Sequence, residues 1–136
     1  MGKTGRTILA VLAGAVVWAV LWVGGTQAAQ AALPSVLGVG QPVTDAGVLV
    51  GLIVYSVVLS TLAGYVTATI AARDPMRAVW ALAVLQLVLG IGFEASAWNL
   101  TPVWYHIVFL ALIIPATIYG GRLRVRRRGA AVTVSV

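Results

Sequence analysis

The sequence contains no cysteine in its 136 residues. This absence excludes a disulfide framework, a thiolate metal site and a catalytic cysteine. His106 is the one histidine, and it cannot supply two axial ligands to a haem within one chain. The sequence also lacks a glycine-rich nucleotide loop and a nucleophile elbow. We therefore expect no catalytic residues, no cofactor-binding residues, no metal ligands and no cofactor.

Charged residues are also scarce. They make up 9% of the chain, whereas 61% is hydrophobic and the mean hydropathy is +1.03. Soluble domains are about a quarter charged. A chain this short cannot bury so much apolar surface in a water-facing globule, so part of its solvent must be lipid.

The apolar residues fall into four long stretches, at about 7–25 (or to 33), 46–72, 75–97 and 102–120. Each approaches the roughly 20 residues that a helix needs to cross about 30 Å of hydrocarbon. Helices satisfy their own backbone hydrogen bonds in lipid. The pattern predicts an all-α membrane protein, with one four-transmembrane-helix bundle in residues 1–128 and a C-terminal tail at 129–136.

Turn and cap residues predict where these helices begin and end. Asp74 precedes Pro75 and Thr101 precedes Pro102, a pattern typical of helix starts. The segment 120–122, Gly-Gly-Arg, is typical of a helix stop. Because the turn near Asn99 is short, the last two helices must form an antiparallel hairpin.

All nine cations fall on one side of a four-crossing arrangement. They are Lys3, Arg6, Arg73, Arg77, Arg122, Arg124, Arg126, Arg127 and Arg128. The opposite side receives only Asp45 and Glu94. Since cytoplasmic loops carry the excess of Lys and Arg, both termini are predicted to be cytoplasmic. The expected location is the cytoplasmic (inner) membrane, with several crossings.

The arginines after the fourth stretch indicate a partner. Electrostatic attraction to an anionic leaflet contributes about 1 kcal/mol of binding free energy for each arginine near its surface. We expect Arg122, Arg124, Arg126, Arg127 and Arg128 to contact anionic headgroups of the bilayer at the cytoplasmic face. A homodimer or another membrane protein is a further partner, and nucleic acid is not expected.

Small residues recur at every fourth position of the second stretch, at Ser56, Ser60, Gly64 and Ala68. In lipid, such a stripe allows helix backbones to approach closely. We expect this helix to be the centre of packing and the most enclosed of the four. Packing within one chain is the favoured interpretation, and homodimerisation through the same stripe is the alternative.

The segment 98–107, WNLTPVWYHI, contains Trp98 and His106, which form a candidate ligand or proton site together with Glu94 just before the segment. Gln86 lies deeper in the same helix as Glu94 and is a further candidate. The hairpin places Glu94 and His106 at similar depth. A carboxylate beside an imidazole suits proton handling or binding of a cation or headgroup. The alternative, which we favour, is a depth marker: Trp98, Trp104 and Tyr105 form an aromatic belt, and Glu94 and His106 lie in wet headgroups.

The same segment, together with Pro115 and the sequence GGRLR at 120–124, resembles a type of small bacterial inner-membrane protein with four helices and no assigned activity. The resemblance covers mainly the last third of the chain. It implies a four-helix fold in a bacterial inner membrane and brings no catalytic residues with it.

These observations predict a small integral membrane protein that is non-enzymatic and has a structural role or a role in contacting lipid or a partner. The alternative is a small dimeric transporter or channel with Glu94 and His106 at its outer mouth. A water-filled cavity at Gln86 would favour transport, and a tightly packed centre would favour the first role.

The predicted topology is tested by reporter fusions at residues 40 and 136. Residue 40 lies in the first predicted outer loop and residue 136 ends the cytoplasmic tail, so the two reporters should give opposite sides. Two fusions reporting the same side would contradict the four-crossing arrangement.

Overall fold

A computed structural model describes residues 2–38, 41–71 and 73–135, with side chains described as far as Arg128. It confirms an all-helical fold with four helices that are long and apolar enough to cross a membrane. The helices are α1 (Lys3–Ala32), α2 (Pro34–Leu37), α3 (Ala46–Ile70), α4 (Pro75–Ser96) and α5 (Val103–Ser135). α1, α3, α4 and α5 are the four long helices, and the chain has the make-up of a multi-pass membrane protein.

The long helices alternate in direction, which gives the bundle two chemically different ends. At one end, here called the basic end, Arg6 Nε donates to the Ile70 carbonyl at 2.7 Å and joins the start of α1 to the end of α3. At the other, here called the loop end, the Val43 amide donates to the Leu100 carbonyl at 2.7 Å. This bond ties the connection before α3 to the turn between α4 and α5.

The closest approach in the bundle is between α3 and α5. A Cβ atom on Gly64 would overlap the carbonyl oxygen of Thr117, and one on Gly120 would overlap the carbonyl oxygen of Thr61. Backbone therefore lies against backbone on both helices. Only glycine permits this separation, because any larger residue would force the two helices apart.

The small-residue stripe lies inside the bundle, with Ser56, Ser60 and Ala68 at most 3% exposed and Gly64 also buried. The expectation that this helix is the most enclosed is wrong. In their most apolar stretches, 44% of the residues of α5 are buried but only 33% of those of α3. α3 turns Val50, Val54 and Val58 outward, each more than half exposed, so its opposite face is not covered by the rest of the bundle.

The predicted helix stop at 120–122 is also wrong, because α5 continues to Ser135. Gly120 and Gly121 serve as contact residues: Gly120 lies against Thr61, and Gly121 lies against the side chain of Val79. Beyond them, Arg124 lies over the Tyr65 ring at 5.9 Å, and Arg127 Nη1 donates to the Tyr65 hydroxyl at 3.3 Å. These contacts with α3 support the helix past its predicted end.

The other helix boundaries lie closer to their predicted positions. α1 extends to Ala32, as in the longer of the two predicted versions, and α4 ends at Ser96. Residue 72, the expected end of the second helix, lies outside the described residues. Asp74 occupies the N-cap position of α4, but its side chain makes no capping bond. α5 begins at Val103, one residue later than expected, and includes Pro115.

The α3–α5 contact is tested by Gly64→Leu, with Gly51→Leu as the matched control. Gly64 faces the Thr117 backbone, whereas a Cβ at Gly51 on the same helix meets open space. Overpacking should lower the stability of the Gly64→Leu protein by about 1–3 kcal/mol or more. Thermal melting in detergent should show a clear drop for Gly64→Leu only, and equal melting temperatures would contradict the contact.

Candidate functional site

The loop end of the bundle holds a buried glutamate–histidine pair. Glu94 lies in the last turn of α4 and His106 in the first turn of α5, and the short turn between the helices brings them to one level. His106 Nδ1 is in hydrogen-bond contact with Glu94 Oε2. His106 is 1% exposed and Glu94 is 6% exposed. A buried ionisable group is tolerated when it has such a partner.

The second ring nitrogen of His106 and one face of its ring also have partners. Nε2 lies 3.0 Å from Thr101 Oγ1 and 3.1 Å from the Trp98 carbonyl oxygen. The Trp98 ring stacks on the imidazole, with centroids 4.3 Å apart and an interplanar angle of 8°. The turn at 97–102 thus supplies a hydroxyl, a carbonyl and an aromatic cover for one side chain.

This geometry overturns the favoured expectation that Glu94 and His106 lie in wet headgroups. Trp98 and Trp104 are 49% and 42% exposed, as a belt requires, but Tyr105 is only 4% exposed and packs on Phe109. The common depth of Glu94 and His106 follows from the hairpin. Their contact depends on how each helix is rotated about its axis, which the sequence pattern does not fix.

The Trp98 carbonyl supports an assignment of the protons of the pair. A carbonyl oxygen only accepts hydrogen bonds, so we assign a proton to Nε2, which lies 3.1 Å from it. One further proton is then shared between Nδ1 and the Glu94 carboxyl group. The pair is therefore electrically neutral as a unit, whether it is written as an ion pair or as two uncharged groups.

The order Thr101–His106–Glu94 has the connectivity of a hydroxyl–imidazole–carboxylate relay, in which an unprotonated imidazole nitrogen takes the hydroxyl proton. Here the nitrogen that faces Thr101 is the protonated one, so it has no lone pair to receive that proton. We interpret Thr101 as a partner that holds the imidazole, not as a nucleophile. Sequence reasoning treated Thr101 only as a helix cap and missed this contact.

Gln86 does not belong to the pair. It lies eight residues before Glu94 on α4, about 12 Å along the helix axis. It is fully buried in contact with the Thr117 hydroxyl, which also lies 2.8 Å from the Ile113 carbonyl oxygen. The predicted site thus divides into a loop-end cluster of Glu94, His106 and Trp98 and a separate glutamine in the bundle centre.

The bundle centre contains further polar groups. Thr67 donates to the Ala10 carbonyl at 3.1 Å and joins α3 to α1. Among the described side chains, four buried polar atoms have no hydrogen-bond partner: Trp18 Nε1, Ser60 Oγ and Gln86 Nε2 in the centre, and Arg124 Nε at the basic end. Each such atom lowers stability, because its desolvation is not offset by a hydrogen bond.

The predicted lipid-contacting arginines lie at the basic end and divide into two groups. Arg122, Arg126, Arg127 and Arg128 are exposed, whereas Arg124 is half-buried against Tyr65. Arg122 and Arg126 line a groove of about 530 Å³ between α4 and α5. The rest of the groove is mainly apolar and includes Trp80, Ile114 and Pro115.

The described residues contain no group of three or more His, Asp or Glu side chains that could hold an ion. Comparison of the sequence and structure with known protein families, curated proteins and solved structures finds no match.

The proton assignment is tested by ¹⁵N NMR of histidine-labelled protein, in which His106 gives the only histidine signals. We expect a protonated Nε2 near neutral pH, because the Trp98 carbonyl accepts its hydrogen bond. Glu94→Gln, whose amide can donate to Nδ1, should keep Nε2 protonated. A neutral ring protonated only at Nδ1 would contradict the assignment and restore Thr101 as a candidate nucleophile.

Proposed function

We propose that this protein is a non-enzymatic, multi-pass protein of the bacterial cytoplasmic membrane that acts by contacting anionic lipid at its basic end. Both termini lie in the cytoplasm in this proposal. The one-sided placement of all nine cations supports the orientation, and the resemblance to small bacterial inner-membrane proteins supports the location.

The groove between α4 and α5 carries the proposal. Its apolar part, which includes Trp80, Ile114 and Pro115, leads along α5 to Arg122 and Arg126. An acyl chain fits the apolar part, and the phosphate of the same lipid then meets two guanidinium groups. Arginine binds phosphate through paired N–H donors. The groove therefore matches a phospholipid in both its parts.

The packed centre argues against a solute path. Gln86, Thr117 and Ser60 are all 0% exposed. The backbone contacts of Gly64 and Gly120 close the space between α3 and α5 at this level. A transported ion or polar solute would need a hydrated route, and the described centre of a single chain is filled by side chains and backbone.

A small dimeric transporter or channel is the second candidate. It is favoured by the unpartnered polar atoms of Trp18, Ser60 and Gln86 in the centre, together with the Glu94–His106 pair nearer the outer face. Polar groups within a membrane are costly and often mark ion or proton routes. In this candidate a second copy would complete a path past Gln86, with Glu94 and His106 at its outer mouth.

The lipid proposal is tested on protein extracted with its surrounding lipid, by measuring the fraction of phosphatidylglycerol that remains bound. Arg122→Gln with Arg126→Gln should lower that fraction, because two phosphate-binding groups are lost. Arg122→Lys with Arg126→Lys keeps the charge and should retain most of the enrichment. Identical lipid fractions for wild type and the glutamine variant would contradict the proposal.

The same protein in vesicles loaded with a pH-sensitive dye separates the two candidates. We expect proton entry no faster than in protein-free vesicles. Proton flux that Glu94→Gln abolishes would favour the transporter.

A further inference from the structure

The basic end contains a second cavity, formed where the start of α1 meets the connection between α3 and α4. This cleft, here called the N-terminal cleft, has a volume of about 450 Å³. That volume lies within the range of small-ligand sites. Four cations line it, together with one carboxylate: Lys3, Arg6, Arg73, Arg77 and Asp74. It is separate from the groove beside α5, and none of its residues belongs to the Glu94–His106 cluster.

The charges of the cleft are not neutralised internally. Asp74 forms no ion pair within 4.0 Å with any of the four cations, all of which are described residues. All four cationic side chains are exposed and can be reached from the aqueous face. Like charges gathered around a concave surface concentrate a positive field there. An anion would be stabilised by this field.

The cleft also offers directional hydrogen-bond donors. Arg6 uses its Nε–H on the Ile70 carbonyl, which holds the guanidinium against the end of α3. An arginine has five N–H donors, so four remain on the two terminal nitrogens. α1 begins at the cleft, and its N-cap residue, Gly2, has no side chain that could cap the helix. The backbone N–H groups of this first turn are thus further donors for an oxyanion.

We propose that the N-terminal cleft binds the phosphate group of an anionic ligand, and that its source is the headgroup of an anionic phospholipid. A tetrahedral phosphate matches several N–H donors arranged around one centre, and guanidinium groups bind it in pairs. The apolar surface of α1 begins beside the cleft at Ile8, which lines it and is 55% exposed. Acyl chains attached to the phosphate would follow this surface.

This inference rests on the proposed function only in placing the basic end at the cytoplasmic leaflet. It adds a defined site on α1 and α4 to the arginine contacts of α5. The two sites share no residue and are tested by different substitutions.

The test is native mass spectrometry of the full chain in detergent, with phosphatidylglycerol and phosphatidylcholine added in equal amounts. Arg73→Gln with Arg77→Gln removes two cleft cations, and Arg127→Gln with Arg128→Gln removes the same charge from exposed positions of α5 that line neither the cleft nor the groove. Loss of two charge-assisted phosphate contacts should weaken retention of a cleft-bound phosphatidylglycerol by about tenfold or more. The Arg127→Gln, Arg128→Gln control should retain phosphatidylglycerol as wild type does.

Two controls distinguish loss of the binding site from loss of folding and from loss of charge. Arg73 and Arg77 are exposed, so their glutamine variant should melt at the wild-type temperature. Arg73→Lys with Arg77→Lys keeps the charge and should restore much of the retention. Inorganic phosphate is the second probe: if it displaces the lipid from wild type, the site recognises the phosphate itself, and if it does not, the attached chains are required for binding.

Two results would overturn the inference. One is equal lipid loss in the cleft and α5 variants, which would show a general charge effect. The other is loss in the α5 variant alone, which would leave the proposed function standing without the cleft site. Loss in the cleft variant alone would support the cleft site. The groove beside α5 is tested separately by Arg122→Gln with Arg126→Gln, so the two proposals can fail independently.

Discussion

The backbone contact between α3 and α5 is the constraint on which the rest of the structure depends. Gly64 and Gly120 each place a helix against a carbonyl oxygen of the other, so neither helix can slide or rotate without a clash. This contact fixes the level of Thr117 and brings its hydroxyl to Gln86 on α4. It also aims the last turns of α5 along α3, where Arg124 meets the ring of Tyr65. A single close approach thus sets both the packed centre and the position of the arginines.

The chemistry of the molecule is consequently divided between its ends. At the loop end, His106 is enclosed by Glu94, Thr101 and Trp98, and its hydrogen-bonding capacity is used within the chain. At the basic end, cations line a cleft and a groove that are open to the surroundings. A satisfied, buried pair suits a structural closure of the α4–α5 turn. Exposed guanidinium groups beside apolar surface suit contact with lipid, which is why the functional proposals concern the basic end.

The sequence was sufficient to predict the features that depend on composition along one helix. Length and hydropathy indicated four spans, and the four-residue spacing from Ser56 to Ala68 indicated a buried face. Features that depend on two helices at once were predicted less well. The glycines at 120 and 121 have the same local pattern whether they end a helix or contact another one, and only the position of Thr61 and Val79 distinguishes the two. Similarly, Lys3 and Arg77 are distant in sequence, so their common cleft depends on how α1 meets α4.

The middle of the bundle is filled by side chains and backbone, and we propose that the protein acts at its basic end. Because the chain has no cysteine, a single introduced thiol reports its own environment. Ser60→Cys is nearly isosteric and places a thiol at a fully buried position of α3, whereas Arg126→Cys places one on the exposed surface of α5. With a membrane-impermeant maleimide added to both sides of the membrane, we predict rapid labelling at residue 126 and none at residue 60. Labelling of both positions at similar rates would reveal an aqueous path through the centre and contradict the account.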